Sequence, residues 1–220
     1  MDFSLFNEIR NGLLLYIILV CSVCIHEWGH AFVADKLGDP LPRYQGRVTL
    51  NPLAHIDFLG TVIFPLLMIF MPIFMGGAPF ALIGWGKPVM ISLPNPKTRR
   101  RDDLLITAAG PVTNLLLCLI CALAIPVVIK IAPDAIALLH LAIVLNAALF
   151  VFNLIPIPPL DGSHFLKHAM RMSDETYLNF SRWGFFILLI LINIGPFRRA
   201  LSIGIYKVVE VFMHLSALFV

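Results

Sequence analysis

The residues best suited to chemistry lie in the segment His26-Glu27-Trp28-Gly29-His30, which fits the pattern H-E-x-x-H. On a helix, residues four positions apart share one face, so the imidazoles of His26 and His30 can converge on one metal ion. Glu27 follows the first histidine and can reach a metal-bound water as a general base. The spacing therefore predicts a zinc site with its own general base.

The surroundings of this segment argue against a chance match. It lies at the end of an apolar run from Gly12 to Val33, and about 20 predominantly apolar residues suffice for a helix to span a membrane. An ionisable side chain inside such a helix costs roughly 2.5–3.5 kcal/mol on insertion scales, so those present usually have a function. The alternative is that both histidines reach the membrane interface beside an unrelated glutamate.

Two histidines do not complete a catalytic zinc site, which needs a third protein ligand and an open position for water. Asp161 is the preferred third ligand because it follows the apolar run Ala135–Ile155 and a proline-rich bend, Pro156–Pro159. Prolines break a helix and stiffen the chain, so this bend can hold a ligand in a fixed place. Four other residues stay open as alternative ligands: His55, Asp57, His164 and His168.

The composition indicates an integral membrane protein. Of the 220 residues, 59% are hydrophobic and only 13% are charged, whereas soluble domains have about 45–50% apolar and about 25% charged residues. This excess excludes a disordered chain and an ordinary cytosolic enzyme. The net charge of +3 is too small to support nucleic-acid binding. The partner that the composition predicts is the lipid bilayer.

The order of apolar and polar segments predicts an all-α polytopic membrane protein. We expect about five or six transmembrane helices, with a small β or re-entrant element after the first helix. The apolar runs cover residues 12–33, 58–75, 104–129, 135–155, 183–194 and 200–220. Residues 34–57 are polar and rich in Pro and Gly, and we expect short strands around Arg43–Thr49.

The distribution of basic residues predicts the orientation in the membrane. Lys and Arg are concentrated in three polar segments, residues 34–57, 87–103 and 161–182. The positive-inside rule places these segments in the cytoplasm, so residues 58–86 must cross an even number of times. That stretch is too short for two full helices, and we expect a helix with a re-entrant return over 78–85. Arg198 and Arg199 fall on the outer side and count against this scheme.

The four cysteines form two pairs, Cys21/Cys24 and Cys118/Cys121, each within an apolar run. Three residues apart is about one helical turn, which could suit a metal ion. Packing of small, polarizable side chains between helices is the preferred interpretation. The sequence contains no disulfide framework.

Three motifs together resemble the site-2 protease family, zinc metalloproteases that cut within the membrane. The first is the H-E-x-x-H segment. The second is G-P-x-x-N at Gly110–Asn114, and the third is N-x-x-P-x-x-P-L-D-G from Asn153 to Gly162. The resemblance covers residues 12 to 170 approximately. Only residues 130–134 separate the helices of the second and third motifs, so the chain resembles the short, PDZ-free bacterial branch.

The resemblance implies a residue-by-residue site. It assigns one Zn²⁺ to His26, His30 and Asp161, and the role of catalytic acid and base to Glu27. It implies that Asn153 holds substrate or stabilises the oxyanion, the alternative for such an amide being a hydrogen bond between helices. We expect Asn114 to join helices through its amide. Residues 84–88 resemble the family's re-entrant loop, which can pair with an unfolded substrate strand, the alternative being a turn with an interfacial tryptophan.

These expectations describe one transmembrane protease domain over residues 1–220, with a catalytic core over about 12–170 and C-terminal helices over 178–220. The expected activity is zinc-dependent hydrolysis of transmembrane protein substrates near the cytoplasmic side of a prokaryotic cell membrane. Two alternatives are an inactive homologue that binds membrane proteins and a membrane zinc transporter. Neither requires a general base such as Glu27. The sequence indicates no oligomeric state.

Overall fold

The computed structural model describes residues 3–76 and 84–219, and every regular element in these ranges is helical. The α-helices are α1 (Phe3–Lys36), α2 (Leu41–Tyr44), α3 (Phe64–Met75), α4 (Arg99–Ile131), α5 (Ile136–Asn153), α6 (Gly162–Ala169), α7 (Asp174–Leu191) and α8 (Gly195–Ala217). A π-helical segment, Phe58–Ile63, precedes α3, and short 3₁₀ turns cover Pro52–Ala54 and Pro133–Ala135. The chain divides into two compact units, Met1–Ser92 and Leu93–Val220.

Within the part of the chain that the structure describes, five helical segments are long and apolar enough to cross a membrane: Ser4–Lys36, Phe58–Met75, Arg99–Ile131, Pro133–Asn153 and Gly195–Ala217. This confirms the expectation of a multi-pass, all-helical membrane protein. Helix α7 is not among the five, because its first half is polar and carries Asp174, Glu175 and Arg182.

The first unit is built on α1, whose 34 residues span about 51 Å at 1.5 Å per residue. Helix α1 packs against α3 through a small residue. A Cβ atom on Gly12 would lie 2.9 Å from Cγ2 of Ile69, so the two helices approach too closely for a larger side chain. The H-E-x-x-H segment occupies the last third of α1.

The prediction of strands around Arg43–Thr49 is wrong. Residues 41–44 form the short helix α2, with Pro42 in its first turn, where the missing N–H costs nothing. Gly46 follows with a φ of 66°, a left-handed conformation that favours glycine. The Arg47 N–H then donates back to the Pro42 carbonyl at 2.9 Å, so the segment closes on itself as a turn.

Most of the re-entrant return expected over 78–85, namely residues 78–83, lies outside the described part of the chain. From Gly84 to Ser92 the chain has no regular secondary structure. It is fixed to the first unit, because the Trp85 N–H donates to the Gly60 carbonyl at 3.0 Å and the Thr61 hydroxyl donates to the Trp85 carbonyl at 2.8 Å.

The second unit has its core between α4, α5 and α8. Helices α4 and α5 are joined by the 3₁₀ turn and pack along a row of small and branched residues: Cys118, Ala122, Ile125, Ile143 and Ala147. Cys118 is fully buried and its thiol points at the Ile143 carbonyl, 3.4 Å away. All four cysteines are free. The geometry of Cys118 confirms packing for this cysteine.

A buried amide pair joins α4 to α5. Nδ2 of Asn114 donates to Oδ1 of Asn146 at 2.9 Å, and Nδ2 of Asn146 donates to the Ala142 carbonyl. Asn114 is fully buried and Asn146 is 2% exposed. An unpaired amide at this depth would be costly. The predicted role of Asn114 in joining helices is therefore confirmed, and Asn146 is a partner that the sequence analysis missed.

Candidate active site

His26 and His30 form the centre of the candidate site in the first unit. Their Nε2 atoms lie 3.1 Å apart, and their rings meet edge to face. Both side chains are buried, although they lie on a helix that presents mostly apolar residues. The i, i+4 spacing brings the rings together as predicted, because neither residue needs any element besides α1 to meet the other.

The separation of the two nitrogens fits zinc. Zinc binds imidazole nitrogen at about 2.0–2.1 Å in tetrahedral geometry, which places two ligand nitrogens about 3.3 Å apart. The two Nε2 atoms, 3.1 Å apart, are close to this arrangement without any change in the helix backbone. The donor set of the first unit is thus suited to a divalent transition metal.

Glu27 lies beside this pair and is in contact with the loop that follows the undescribed residues. A Cβ atom on Gly86 would lie 2.7 Å from Cγ of Glu27 and 2.9 Å from Cγ1 of Val23. Only glycine lets the loop backbone approach α1 so closely. The glycine that precedes Lys87-Pro88 therefore limits the positions that the Glu27 side chain can occupy.

A buried cation that the sequence did not predict lies in the same unit. Arg47 is only 2% exposed and its Nη1 donates to the Ala54 carbonyl. Burial lowers the pKa of Arg47 below its usual value, and the negative charge of Glu27 offsets part of this decrease. No periodicity marks Arg47, because the turn that buries it depends on Pro42 and Gly46.

His55 is fixed by the same folded-back segment. It is 1% exposed, and its Nε2 donates to the Thr49 carbonyl at 2.7 Å. Burial lowers its pKa, the bond to Thr49 raises it, and the charge of Arg47 lowers it again. The Lys87 N–H donates to the His55 carbonyl at 2.8 Å, which links this segment to the Gly86 loop. His55 thus has a structural role in the described chain, with its Nε2 engaged.

The other polar residues of this segment are caps. The Asn51 side chain accepts from the Leu53 N–H at 3.1 Å at the start of a 3₁₀ turn. Asp57 accepts from the Gly60 N–H at 2.7 Å at the start of the π-helical segment. Asp57, an alternative zinc ligand, therefore uses its carboxylate to begin a helix.

Asp161 and Asn153 belong to the second unit. Asp161 is half-buried at the N-cap of α6, directly after the proline-rich bend. A Cβ atom on Gly162 would lie 2.4 Å from the carbonyl oxygens of Leu154 and Ile155, so the bend closes tightly against the end of α5. Asn153 is the last residue of α5, and its Nδ2 donates to the Leu149 carbonyl at 3.0 Å.

His164 and His168, the remaining alternative ligands, are held by Asp103. Nδ1 of His164 lies 3.1 Å from Oδ1 of Asp103, and Nε2 of His168 lies 2.6 Å from Oδ2. Asp103 is 2% exposed. The two histidines follow each other by one helical turn on α6, so one carboxylate on α4 fixes both rings. Asp103 was not predicted from the sequence, where it lies at the end of a basic stretch.

The known proteins that this chain resembles are all described as peptidases. A family model described as Peptidase family M50 matches residues 128–192. YwhC of Bacillus subtilis, which its name describes as a zinc metalloprotease, is 31% identical over 200 residues, covering 87% of this chain and 85% of YwhC. Rip2 of Mycolicibacterium smegmatis, with the same description, is 29% identical over 183 residues, covering 81% of this chain and 66% of Rip2. Rip2 of Mycobacterium tuberculosis strain H37Rv is 29% identical over 192 residues. No solved structure matches the chain.

Proposed function

The chain belongs to peptidase family M50, the site-2 protease family of zinc metalloproteases, and from this premise we propose that it cuts transmembrane protein substrates within the membrane. The observation that carries the proposal is the His26–His30 pair, with its Nε2 atoms 3.1 Å apart in a helix long enough to span a bilayer. A metal site within a membrane-spanning helix is accessible to substrates that are themselves in the membrane.

We assign a single zinc ion to His26, His30 and Asp161. The two imidazoles supply neutral nitrogen donors, and Asp161 supplies a carboxylate from a segment held by the Gly162 bend. Asp161 is chosen over His55, Asp57, His164 and His168 because it matches the family motif. When bound, zinc lowers the pKa of water to about 7 and polarises a carbonyl.

Glu27 acts as the catalytic acid and base. Its carboxylate takes a proton from the attacking water and later gives it to the amine nitrogen that leaves the scissile peptide. The close contact with Gly86 keeps the carboxylate on one side of α1.

Asn153 orients the substrate carbonyl. A carboxamide has two N–H donors, and the bond to the Leu149 carbonyl uses one of them. The second can donate to the oxygen that gains negative charge as the peptide is attacked. This role requires a substrate whose backbone is locally unwound, because helical carbonyls are already hydrogen-bonded.

The loop over residues 84–88 is the proposed site for the unwound substrate. The N–H groups of Trp85 and Lys87 donate into the first unit, and the intervening Gly86 carries no side chain that would block a strand. Addition of a peptide strand to an open backbone edge is a common mode of recognition.

The proposed active site faces the cytoplasm of a prokaryotic cell, because the segments flanking the site carry most of the Lys and Arg residues. We further infer that both compact units act as one protease domain over residues 1–220. Residues 12–170 would supply the catalytic core, and the helices over 178–220 would complete the bundle.

The decisive experiment is cleavage of a fluorescently labelled transmembrane peptide, with helix-breaking residues near the cut, by the full chain in liposomes. Glu27→Gln should abolish cleavage while the zinc content per chain, measured by elemental mass spectrometry, stays unchanged. Glu8→Gln, on the same helix but outside the motif, is the matched control and should cleave normally. Cleavage by zinc-loaded Glu27→Gln at the wild-type rate would refute the proposal.

A further inference from the structure

The second unit contains a charged cleft that the proposed mechanism does not use. Its volume is about 430 Å³, and it lies between the first turn of α4, the end of α6 and the start of α7. Its walls are formed by charged side chains from these three helices and by the connecting segments around Leu93 and Met172.

The cleft has more positive than negative charge. Its permanent cations are Arg99, Arg100, Lys167 and Arg171, and its carboxylates are Asp103 and Asp174. Both carboxylates are engaged. Asp103 is held between two histidines, and Asp174 pairs with Lys167 at 2.8 Å and with Arg99 at 3.4 Å. Within the described ranges, Arg100 and Arg171 have no carboxylate within ion-pairing distance. Two exposed guanidinium groups thus remain for an anion.

The backbone of the cleft is unusual at two points. Leu93 and Arg171 are the non-glycine residues with positive φ in the part of the chain that the structure describes, at 48° and 52°, and both line the cleft. Arg171 occupies the position after the end of α6 where glycine is preferred. The Met172 N–H donates to the Lys167 carbonyl at 2.9 Å and the Arg171 N–H to the His168 carbonyl at 3.4 Å, which is the Schellman pattern.

An arginine at this glycine position has a conformational cost. Such costs persist where the side chain is needed for function. The side chain that the chain places there is a guanidinium, the group best shaped to bind phosphate oxygens in pairs. The strain at Arg171 and the uncompensated charge of the cleft are separate observations, and both point to an anionic ligand.

The position of the cleft along α4 identifies the source of the anion. Helix α4 begins with the charged turn Arg99–Asp103 and is predominantly apolar from Leu104 onward. Its 33 residues are about 50 Å long, which exceeds the roughly 30 Å thickness of the hydrocarbon core. The charged turn of a spanning α4 therefore lies at the level of the lipid headgroups, where basic pockets bind acidic lipids.

We propose that this cleft binds the phosphate of an anionic phospholipid headgroup, with Arg100 and Arg171 as its principal ligands. Lys167 and Arg99, now paired with Asp174, add positive charge at the back of the cleft. The ligand joins the starts of α4 and α7 to the end of α6. It requires neither zinc nor Glu27.

The test uses the full chain in a neutral detergent and follows thermal unfolding during titration with lipid. Phosphatidylglycerol should raise the midpoint temperature, because a ligand that binds the folded state stabilises it. Phosphatidylcholine with the same acyl chains, and inorganic phosphate alone, should produce at most a small part of this shift. The wild type and Glu27→Gln should respond equally, so the result is independent of proteolysis.

Two variants locate the ligand. Arg171→Gly should raise the phosphatidylglycerol concentration at half-maximal shift about tenfold, the equivalent of one lost charge-assisted contact. Without lipid it should unfold at or above the wild-type temperature, because glycine suits this position, so the loss cannot come from misfolding. Arg100→Gln should act in the same direction. Arg182→Gln, an exposed arginine of α7 outside the cleft, is the matched control and should behave as wild type.

Three results would overturn the proposal. They are an equal shift with phosphatidylcholine, a full shift with inorganic phosphate alone, and an unchanged response to phosphatidylglycerol in both Arg171→Gly and Arg100→Gln.

Discussion

The α-carbon of Gly86 packs against the Glu27 side chain so closely that a Cβ atom there would lie 2.7 Å from Cγ of Glu27. The position of the loop and that of the proposed general base therefore depend on the absence of a side chain at residue 86. Because Val23 is also within 2.9 Å of this point, a larger side chain must displace either the loop or the carboxylate.

Gly86→Ala should lower the rate of substrate cleavage by roughly tenfold or more, since small displacements of a catalytic group are costly. Zinc content should be unchanged, because His26 and His30 meet within α1 and their positions do not depend on Gly86. The measurement is cleavage rate and bound zinc for the same preparation. Gly195→Ala is the control, because a Cβ atom there would have no neighbour within 4 Å. Normal cleavage by Gly86→Ala would show that the contact does not position Glu27.

Asp161→Asn should lose zinc. An amide lacks the negative charge that a zinc ligand contributes, so the occupancy after dialysis against a weak chelator should fall by about tenfold or more. The readout is zinc per chain, measured together with thermal unfolding. Asp134→Asn changes an exposed aspartate in the turn between α4 and α5 and should keep its zinc. Full zinc retention by Asp161→Asn would exclude it as the third ligand.

Gly162→Ala tests the bend that carries Asp161. A Cβ atom at residue 162 would lie 2.4 Å from two backbone carbonyl oxygens, and neither oxygen can move without opening the bend. We expect the variant to lose both zinc and stability, by about 2 kcal/mol or more in the free energy of unfolding. Zinc content and a denaturant titration provide the measurement. Wild-type values for both would mean that Asp161 does not depend on this closure.

His55 should make the protein sensitive to acid. Burial lowers its pKa in the folded chain below the value of about 6.5 that it has when unfolded. The unfolded chain then binds the proton more readily, so stability is complete above about pH 6.5 and falls as the pH decreases below it, by at most about 1.4 kcal/mol per pH unit.

His55→Gln checks this origin, because its amide can still donate to the Thr49 carbonyl but does not titrate. Unfolding is measured from pH 7.5 to pH 5 for both proteins. The variant should show a shallower decrease in stability over this range. Identical slopes would assign the acid sensitivity to other groups.

The Asn114–Asn146 pair should contribute measurably to the second unit. A double-mutant cycle with Asn114→Ala and Asn146→Ala is expected to give a coupling energy of about 0.6 kcal/mol, and at most about 1.7, as found for polar pairs between membrane helices. Each single variant should destabilise by more than this, because it leaves a buried amide with one partner fewer. Additive single effects would show that the bond does not contribute.

Much of the site could be predicted because its residues are local. The meeting of His26 and His30 follows from one helical turn, and the caps formed by Asn51 and Asp57 follow from their positions before short helices. Arg47 could not be predicted, because its burial results from a turn that folds the chain back onto Ala54. The expected strand failed for the same reason, since Pro42 and Gly46 favour this turn over extended pairing.

The partners of Asp103 also could not be predicted from the sequence. Asp103 lies two residues after three consecutive arginines, and a basic stretch predicts the cytoplasmic side of a membrane protein. Its actual partners, His164 and His168, are 61 and 65 residues away along the chain. Periodicity within α4 and α6 gives the face of each helix, but not which carboxylate of one meets which imidazole of the other.

Helix α6 has only eight residues, and its length of about 12 Å separates Asp161 at one end from Arg171 just beyond the other. Because a helix this short moves as a rigid body, a ligand that fixes Arg171 also restricts Asp161. Occupancy of the headgroup cleft would therefore stabilise the position of the proposed third zinc ligand. Turnover should then depend on the acidic-lipid content of the bilayer, so two substrates can be ranked fairly only in membranes of matched composition.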